Sequence, residues 1–145
     1  MGRILGLDVG EKTIGMALSD ELKWTAQGVM TLRREGRKKD IPALLEFVAA
    51  HDVEEIVIGL PKNMNNTIGE QAESVMKFAK RLEAQLPRMK IAFWDERLTT
   101  VAANHLLLEA DVSRKKRKQV VDTMAAALIL QGYLDARADN QVIQP

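Results

Sequence analysis

The chain contains no cysteine. Disulfide scaffolds, thiolate zinc sites and cysteine nucleophiles are thereby excluded. Aromatic residues are scarce, with two Trp, one Tyr and three Phe in 145 residues. Neither of the two dense basic clusters holds one, so base stacking on single strands finds little support there. Long apolar runs are missing too. The longest, Met124–Leu130, falls well short of the roughly 20 residues a membrane-spanning helix needs. The first residues carry one arginine and then an apolar segment broken by Asp8, which is not a signal-peptide pattern. These absences lead to the expectation of a soluble, cytoplasmic protein without a membrane partner. A dominant charge is also absent, since 21 Lys and Arg face 20 Asp and Glu for a net +1.

What is present is more specific. The length suits one domain, and a hydrophobic content of 46% argues against global disorder. The expected organisation is a single domain over residues 1–136 and a patternless, mobile tail over residues 137–145. The charge, though balanced, is clustered. Arg33–Lys39 and Arg114–Lys118 are dense in Lys and Arg, the electrostatic footprint of an anionic polymer when they are more than solvated loops.

Ile4–Asp8, Thr13–Ser19 and Ala26–Leu32 read as three short strands of an antiparallel meander. The basic segment to Lys39 then reads as a loop. Ile41, Leu44, Leu45 and Val48 follow helical spacing, with Asp40 as the expected cap and Pro42 in the first turn. Glu55–Gly59 is a short apolar strand. Thr67-Ile68-Gly69-Glu70 has capping-box spacing before a helix whose expected inner face is Ala72, Val75, Met76, Ala79, Leu82 and Leu86. Lys90–Asp95 is the next strand. Thr99 or Thr100 would cap a short helix through Glu109, and Ser113 a last helix to about Asp135. Strands alternating with helices imply parallel crossovers. The expected fold class is α/β: a mixed five-stranded sheet, with a three-strand antiparallel meander plus two parallel strands, flanked by helices.

Asp8 is the informative residue of the first strand. A buried carboxylate without a partner costs several kcal/mol by typical estimates, so a metal ion or a phosphate is its natural companion. Gly6 and Gly10 on either side leave room for a ligand or a second backbone. Two further acids stand out. Glu96 follows an apolar strand directly, so it and Asp8 both lie at carboxyl ends of strands, where ligands of open sheets gather. Strand alternation separates Asp95 from Glu96 onto opposite faces, without telling which face meets Asp8. Asp122 lies early in the last helix, on the border of an expected apolar stripe of Val121, Met124, Ala125, Leu128 and Gly132. The plain alternative for Asp122 is a Lys118–Asp122 pair along the helix, worth about 0.2–0.5 kcal/mol.

Three converging carboxylates repel unless a hard cation such as Mg2+ or Mn2+ joins them. Two such ions about 3.5–4 Å apart stabilise the attacking and leaving oxygens of an in-line phosphoryl displacement. The basic run Arg114, Lys115, Lys116, Arg117 and Lys118 opens the last helix, where cations oppose the helix dipole but phosphate binds well. Lys12 and Asn63, in loops near the strand ends, can also meet phosphate. His51 and His105 read as surface residues without metal-ligand spacing, and Trp94 reads as packing.

Four motifs in order carry a family resemblance over Ile4 to Asp135. They are Gly6-Leu7-Asp8-Val9-Gly10 with Ile14-Gly15 and Ser19-Asp20, and Gly59-Leu60-Pro61 with Asn63-Met64. Then come Asp95-Glu96-Arg97-Leu98-Thr99-Thr100, and Ser113 to Lys118 with Val121-Asp122. The chain resembles the YqgF (RuvX) family of Holliday junction resolvases and pre-16S rRNA nucleases. The resemblance implies an RNase H-like fold and an acidic triad of Asp8, Glu96 and Asp122, choosing Glu96 over Asp95. It also implies a metal-dependent endonuclease that leaves 5′-phosphate and 3′-hydroxyl ends, with Arg97 among the groups near the nucleic acid. Asn65-Asn66 replaces the Asp-Gly common in that loop. The expected substrate is an rRNA precursor or branched DNA, with end processing of pre-16S rRNA ahead. A monomer suffices for the first substrate and a homodimer suits the second. Two other classes compete. Actin-like ATPases and sugar kinases share the strand–Asp–x–Gly–turn–strand opening but need two domains. A non-enzymatic nucleic-acid-binding module would keep the basic clusters and leave the three acids without a shared task.

Overall fold

The structure, a computed structural model, describes residues 2–61, 69–95 and 114–143, with the side chains of residues 37, 114–122 and 138–143 outside the description. The described residues contain five strands: β1 (Arg3–Val9), β2 (Thr13–Ser19), β3 (Ala26–Arg33), β4 (Val53–Leu60) and β5 (Lys90–Asp95). Three helices are described: α1 (Arg37–Ala50), α2 (Glu70–Gln85) and α3 (Arg114–Ile143). The strands form one sheet in the order β3-β2-β1-β4-β5. β1, β2 and β3 pair antiparallel, while β4 joins β1 and β5 joins β4 in parallel. The mixed sheet expected from the sequence is therefore the sheet observed.

Strand alternation sorts the core into two layers. Leu5, Leu7 and Val9 of β1 join Ile14 and Met16 of β2 and Ile56 and Ile58 of β4 against α1 and α2. The alternate positions Ile4, Ala17 and Val57 pack against Ala126, Ile129, Leu130 and Leu134 of α3. Each fully buried Leu or Ile contributes about 1.5–3 kcal/mol, so the two layers together drive the fold.

Local expectations needed several corrections. α1 begins at Arg37, not Asp40, because Gly36 with φ +110° turns the chain into it and accepts from the Lys39 and Asp40 N–H groups, both at 2.9 Å. A side chain is strained at that φ. Pro42 is consequently the sixth residue of α1 rather than part of its first turn. In α2 the cap is Gly69, and Glu70 is the first helical residue rather than the closing acid of a capping box; Thr67 lies outside the described residues. Its buried face includes Phe78, which the pattern missed, whereas Met76 is exposed. In α3 the buried stripe runs through Ala125, Ala126, Ile129, Leu130 and Leu134. Met124, Leu128 and Gly132 are only half-buried, so the helix is rotated from the expected stripe. α3 also continues as helix to Ile143, beyond the expected end near Asp135. The short helix expected before Glu109 and the cap at Ser113 lie outside the described residues.

α3 crosses the sheet on small residues. Gly6, Ala17 and Gly28 stand in register across β1, β2 and β3. A Cβ at Gly6 would lie 2.8 Å from Leu130 Cβ and 3.1 Å from the Ala126 carbonyl oxygen. One at Gly28 would lie 2.9 Å from Thr123 Cβ. The room beside Gly6 thus belongs to a second backbone, that of α3, and not to a ligand. Gly10 serves its own hairpin: its N–H donates to the Thr13 carbonyl at 2.8 Å.

The far end of α3 is pinned by side chains. Gln131 accepts from the Ala26 N–H and donates to the Trp24 carbonyl, each at 3.0 Å. The Tyr133 hydroxyl donates to the buried carboxylate of Glu55, which Lys90 at 3.9 Å and Arg137 at 4.0 Å also approach. Burial and the Glu55 carboxylate push the Tyr133 hydroxyl up to about 12, with Arg137 opposing them. Trp94 stands edge-on to Tyr133 and lies 3.0 Å from where a Gly132 Cβ would be. It is a packing residue, as expected. No helix among the described residues is long and apolar enough to cross a membrane.

Candidate active site at the carboxyl end of β1

Asp8 is the penultimate residue of β1 and half-buried. Its parity is that of Ile4 and Gly6, so it belongs to the face that α3 covers. Its register partner on β2 is Gly15. The parallel pairing of Leu7 with Ile58, carried one step on, brings Gly59 of β4 beside it. Asp8 is therefore flanked on both sides by residues without side chains. That gives Gly15 and the Gly59-Leu60-Pro61 motif a common physical role, because nothing on the neighbouring strands competes for the space around the carboxylate.

The same register places Asp95, the last residue of β5. Gly59 pairs with Trp94 and Leu60 with Asp95. Trp94 is on the α3 face with Asp8, while Ile91 packs into the opposite layer. Asp95 shares the parity of Ile91 and so lies on the face away from Asp8. Pairing across three strands supplies what the single-strand pattern could not.

The turn after Asp8 is held from behind. Arg34, at the end of β3, donates from Nη1 to the Gly10 carbonyl at 2.8 Å and from Nε to Asp40 Oδ2 at 3.0 Å. Its backbone N–H reaches the Lys12 carbonyl at 2.9 Å. Its guanidinium lies 5.3 Å from the centre of the Phe78 ring. Asp40 is 2% exposed and also accepts from the Glu35 N–H at 3.0 Å. It is an internal anchor for Arg34, not the helix cap the sequence suggested. Nor is Arg33–Lys39 wholly a solvated loop, since Arg34 turns inward. An Arg-Arg pair before an early helical Asp was the available signal, and the charge run concealed it.

A cleft of about 430 Å³ opens beside this turn, lined by Gly10, Glu11, Arg34, Glu70, Gln71 and Ser74 among others. Its charges are of both signs, and Val9 and Val75 place it on the α2 side of the sheet. It is not the site of Asp8.

The remaining candidates distribute as follows. Lys12 is exposed at the hairpin tip. Asn63, Glu96, Arg97 and His105 lie outside the described residues. Arg114, Lys115, Lys116, Arg117 and Lys118 form the first turns of α3, as expected, with only their backbone described. The side chain of Asp122 is likewise outside the description, but position 122 is one turn before Ala126 in α3. His51 caps α1 and stacks on Phe47 at 3.9 Å. Ser19 and Asp20 are structural. Ser19 Oγ accepts from the Ile4 N–H at 2.9 Å, and Asp20 accepts from the Trp24 and Thr25 N–H groups at 2.7 and 3.1 Å. Those backbone donors, Thr25 first, hold the Asp20 carboxyl below its usual range despite some desolvation. Among the described residues no three His, Asp or Glu side chains are grouped to hold a metal.

A meander continued by two parallel strands, with helices on both faces and an acid at the end of β1, defines an RNase H-like α/β protein. Solved structures of that fold superpose on it. Thermus thermophilus RuvC bound to a Holliday junction substrate matches with a TM-score of 0.57 at 12% identity, over 96% of this chain and 97% of the other. The Fowlpox virus resolvase in complex with Holliday junction DNA gives 0.56 at 10%, over 93% and 98%. The particular family follows from sequence. The profile of RuvX, described as Holliday junction resolvase, matches residues 2–136. A protein of Moorella thermoacetica is 57% identical over 97% of this chain and 99% of its own length. One of Clostridioides difficile is 56% identical over 96% and 98%. Both carry the name "Putative pre-16S rRNA nuclease". The chain belongs to the RuvX Holliday junction resolvase family, and its enzyme class is that of the family, a hydrolase of phosphodiester bonds in nucleic acid.

Proposed function

We propose that this protein is a divalent-metal-dependent endonuclease that processes the ends of pre-16S rRNA in the cytoplasm, with Asp8, Glu96 and Asp122 as its acidic triad. The observation that carries the reading is Asp8 itself, a half-buried carboxylate at a strand end, flanked by Gly15 and Gly59. Such a carboxylate, an oxygen donor between two strand positions without side chains, suits Mg2+ or Mn2+. Two features support the other members. A strand extended past Asp95 returns at its next residue to the parity of Trp94, the face of Asp8. Position 122 precedes Ala126 by one turn on the stripe of α3 that meets Gly6.

When bound, the metal supplies an activated water and neutralises charge on the leaving oxygen. The chain's own residues do the rest. Asp8, Glu96 and Asp122 hold the cation and fix its place relative to the sheet. Lys12 at the hairpin tip, with Asn63 and Arg97, would meet phosphate. Arg114, Lys115, Lys116, Arg117 and Lys118, at the N-terminus of α3, hold the backbone of the nucleic acid against the site. The relatives named as pre-16S rRNA nucleases favour RNA precursor as the substrate, for which a monomer suffices. The family description favours a second reading, resolution of branched DNA by the same site, for which two copies would act as a homodimer.

The test is cleavage of pre-16S RNA and of a synthetic four-way DNA junction, with wild type and Asp8→Asn side by side. The expected result is Mg2+-dependent cleavage of the RNA by wild type. Asp8→Asn should lose at least about a hundredfold in rate, as expected for removal of a group that stabilises the transition state, while keeping its melting temperature. Undiminished cleavage by Asp8→Asn would overturn the site. Faster cutting of the junction would reverse the order of substrates.

A further inference from the structure

We infer that Arg34 is a positioning residue for the metal site, acting through the backbone of the turn that follows Asp8. The inference rests on the nuclease reading above.

Asp8 is the second-last residue of β1, one residue before the strand ends. Beyond Val9 the chain leaves the sheet and reverses through Gly10, Glu11 and Lys12, and a hairpin tip of this kind is ordinarily free to shift. Here it is not free. The Gly10 carbonyl accepts from Arg34 Nη1 at 2.8 Å, and the Lys12 carbonyl accepts from the Arg34 N–H at 2.9 Å. Arg34 cannot swing, because its Nε is fixed to Asp40 at 3.0 Å and its guanidinium faces the Phe78 ring at 5.3 Å. Asp40 in turn is buried in the opening of α1 and takes a second bond from the Glu35 N–H at 3.0 Å. One side chain therefore joins the turn, α1 and α2.

The charge of Arg34 is used inward. Its partners are a carboxylate, a carbonyl and a ring, and the guanidinium is 19% exposed. It is not built as a phosphate contact. The arrangement also requires arginine in particular. Two donors at fixed divergence reach Asp40 and Gly10 together, which a lysine ammonium on a flexible stem does not reproduce. The clamp closes two residues after Asp8, so its loss loosens the strand end that carries the carboxylate.

Two variants test this, each followed by thermal melting, Mn2+ calorimetry and steady-state cleavage of precursor RNA. Arg34→Lys keeps a cation beside Asp40. The double variant Arg34→Leu with Asp40→Leu removes the buried pair together, an exchange that folded proteins commonly tolerate. The expected result for both is a Kd for Mn2+ raised about tenfold, the usual scale for groups that orient a ligand from behind. The kcat should fall by about the same factor, with KM for RNA unchanged. Wild-type Mn2+ affinity and kcat in Arg34→Lys would overturn the inference. So would a raised KM with unchanged kcat, which would make Arg34 a contact to the nucleic acid. A wild-type chain that binds no Mn2+ would overturn the nuclease reading itself, so the two failures are distinguishable.

Discussion

The two faces of the sheet are covered in different ways. On one, α1 and α2 share a broad layer of branched and aromatic side chains, from Leu5 and Leu7 to Phe78 and Leu82. On the other, α3 lies on Gly6, Ala17 and Gly28, close enough that a methyl group at Gly6 would strike it. The first face is held by volume, which tolerates repacking. The second is held by close approach at a few points and by the polar pins at Gln131, Tyr133 and Arg137. Asp8 belongs to the second. The broader apolar layer is thus on the other face from the candidate site.

That separation can be broken by substitution. The largest effect is expected on the two-helix face. Leu82→Ala removes a fully buried side chain and should cost about 2–5 kcal/mol in denaturant unfolding, with kcat of the folded fraction unchanged. A fall in kcat matching that of Asp8→Asn would show that the faces are coupled. Next comes Gly6→Ala. The added methyl would meet Leu130 Cβ and the Ala126 carbonyl, at a cost of about 1–3 kcal/mol. In contrast to Leu82→Ala, it should lower kcat in protein that remains folded.

Tyr133→Phe is smaller, about 1 kcal/mol by urea unfolding at neutral pH, since Lys90 and Arg137 still approach Glu55. It also has a pH signature. The Tyr133 hydroxyl titrates near 12 in the folded protein, above its ordinary 10.0. Its contribution is therefore complete below pH 10 and is lost as pH rises towards 12. The difference between wild type and Tyr133→Phe should shrink across that window, and a difference that stayed constant would contradict the raised value. Least of all, Lys39→Ala breaks an exposed pair with Glu35 at 3.7 Å and should change stability by under about 0.5 kcal/mol.

Much of this was legible in the sequence. Short, mostly apolar runs between turns marked all five strands, and the position of the acid at the end of β1 was plain from its apolar neighbours. What was not legible depended on partners distant in the chain. Gly6 gave no sign that its space was taken by Ala126 and Leu130, because that contact forms only when α3 crosses the sheet. Asp40 looked like a helix cap because caps are local, whereas its partner Arg34 is placed by the end of β3. The choice between Asp95 and Glu96 was undecidable within one strand. The pairing of β1, β4 and β5 puts Asp95 on the far face and leaves Glu96 as the expected partner of Asp8, though its own position lies outside the described residues. Asp122 was read on the border of its helix, and the rotation of α3 brings its position nearer the stripe that meets the sheet.

The pins on α3 have a mechanical consequence. Position 122 is 11 residues from the Tyr133 anchor, about 16 Å along a helix. An unopposed tilt of about 5° at the anchor would carry that position sideways by about 1.4 Å. α3 is in that sense a cantilever. The contacts of Gly6 with Ala126 and Leu130 and of Gly28 with Thr123 oppose that swing along its length, and the bond from Tyr133 to Glu55 ties its root near the start of β4.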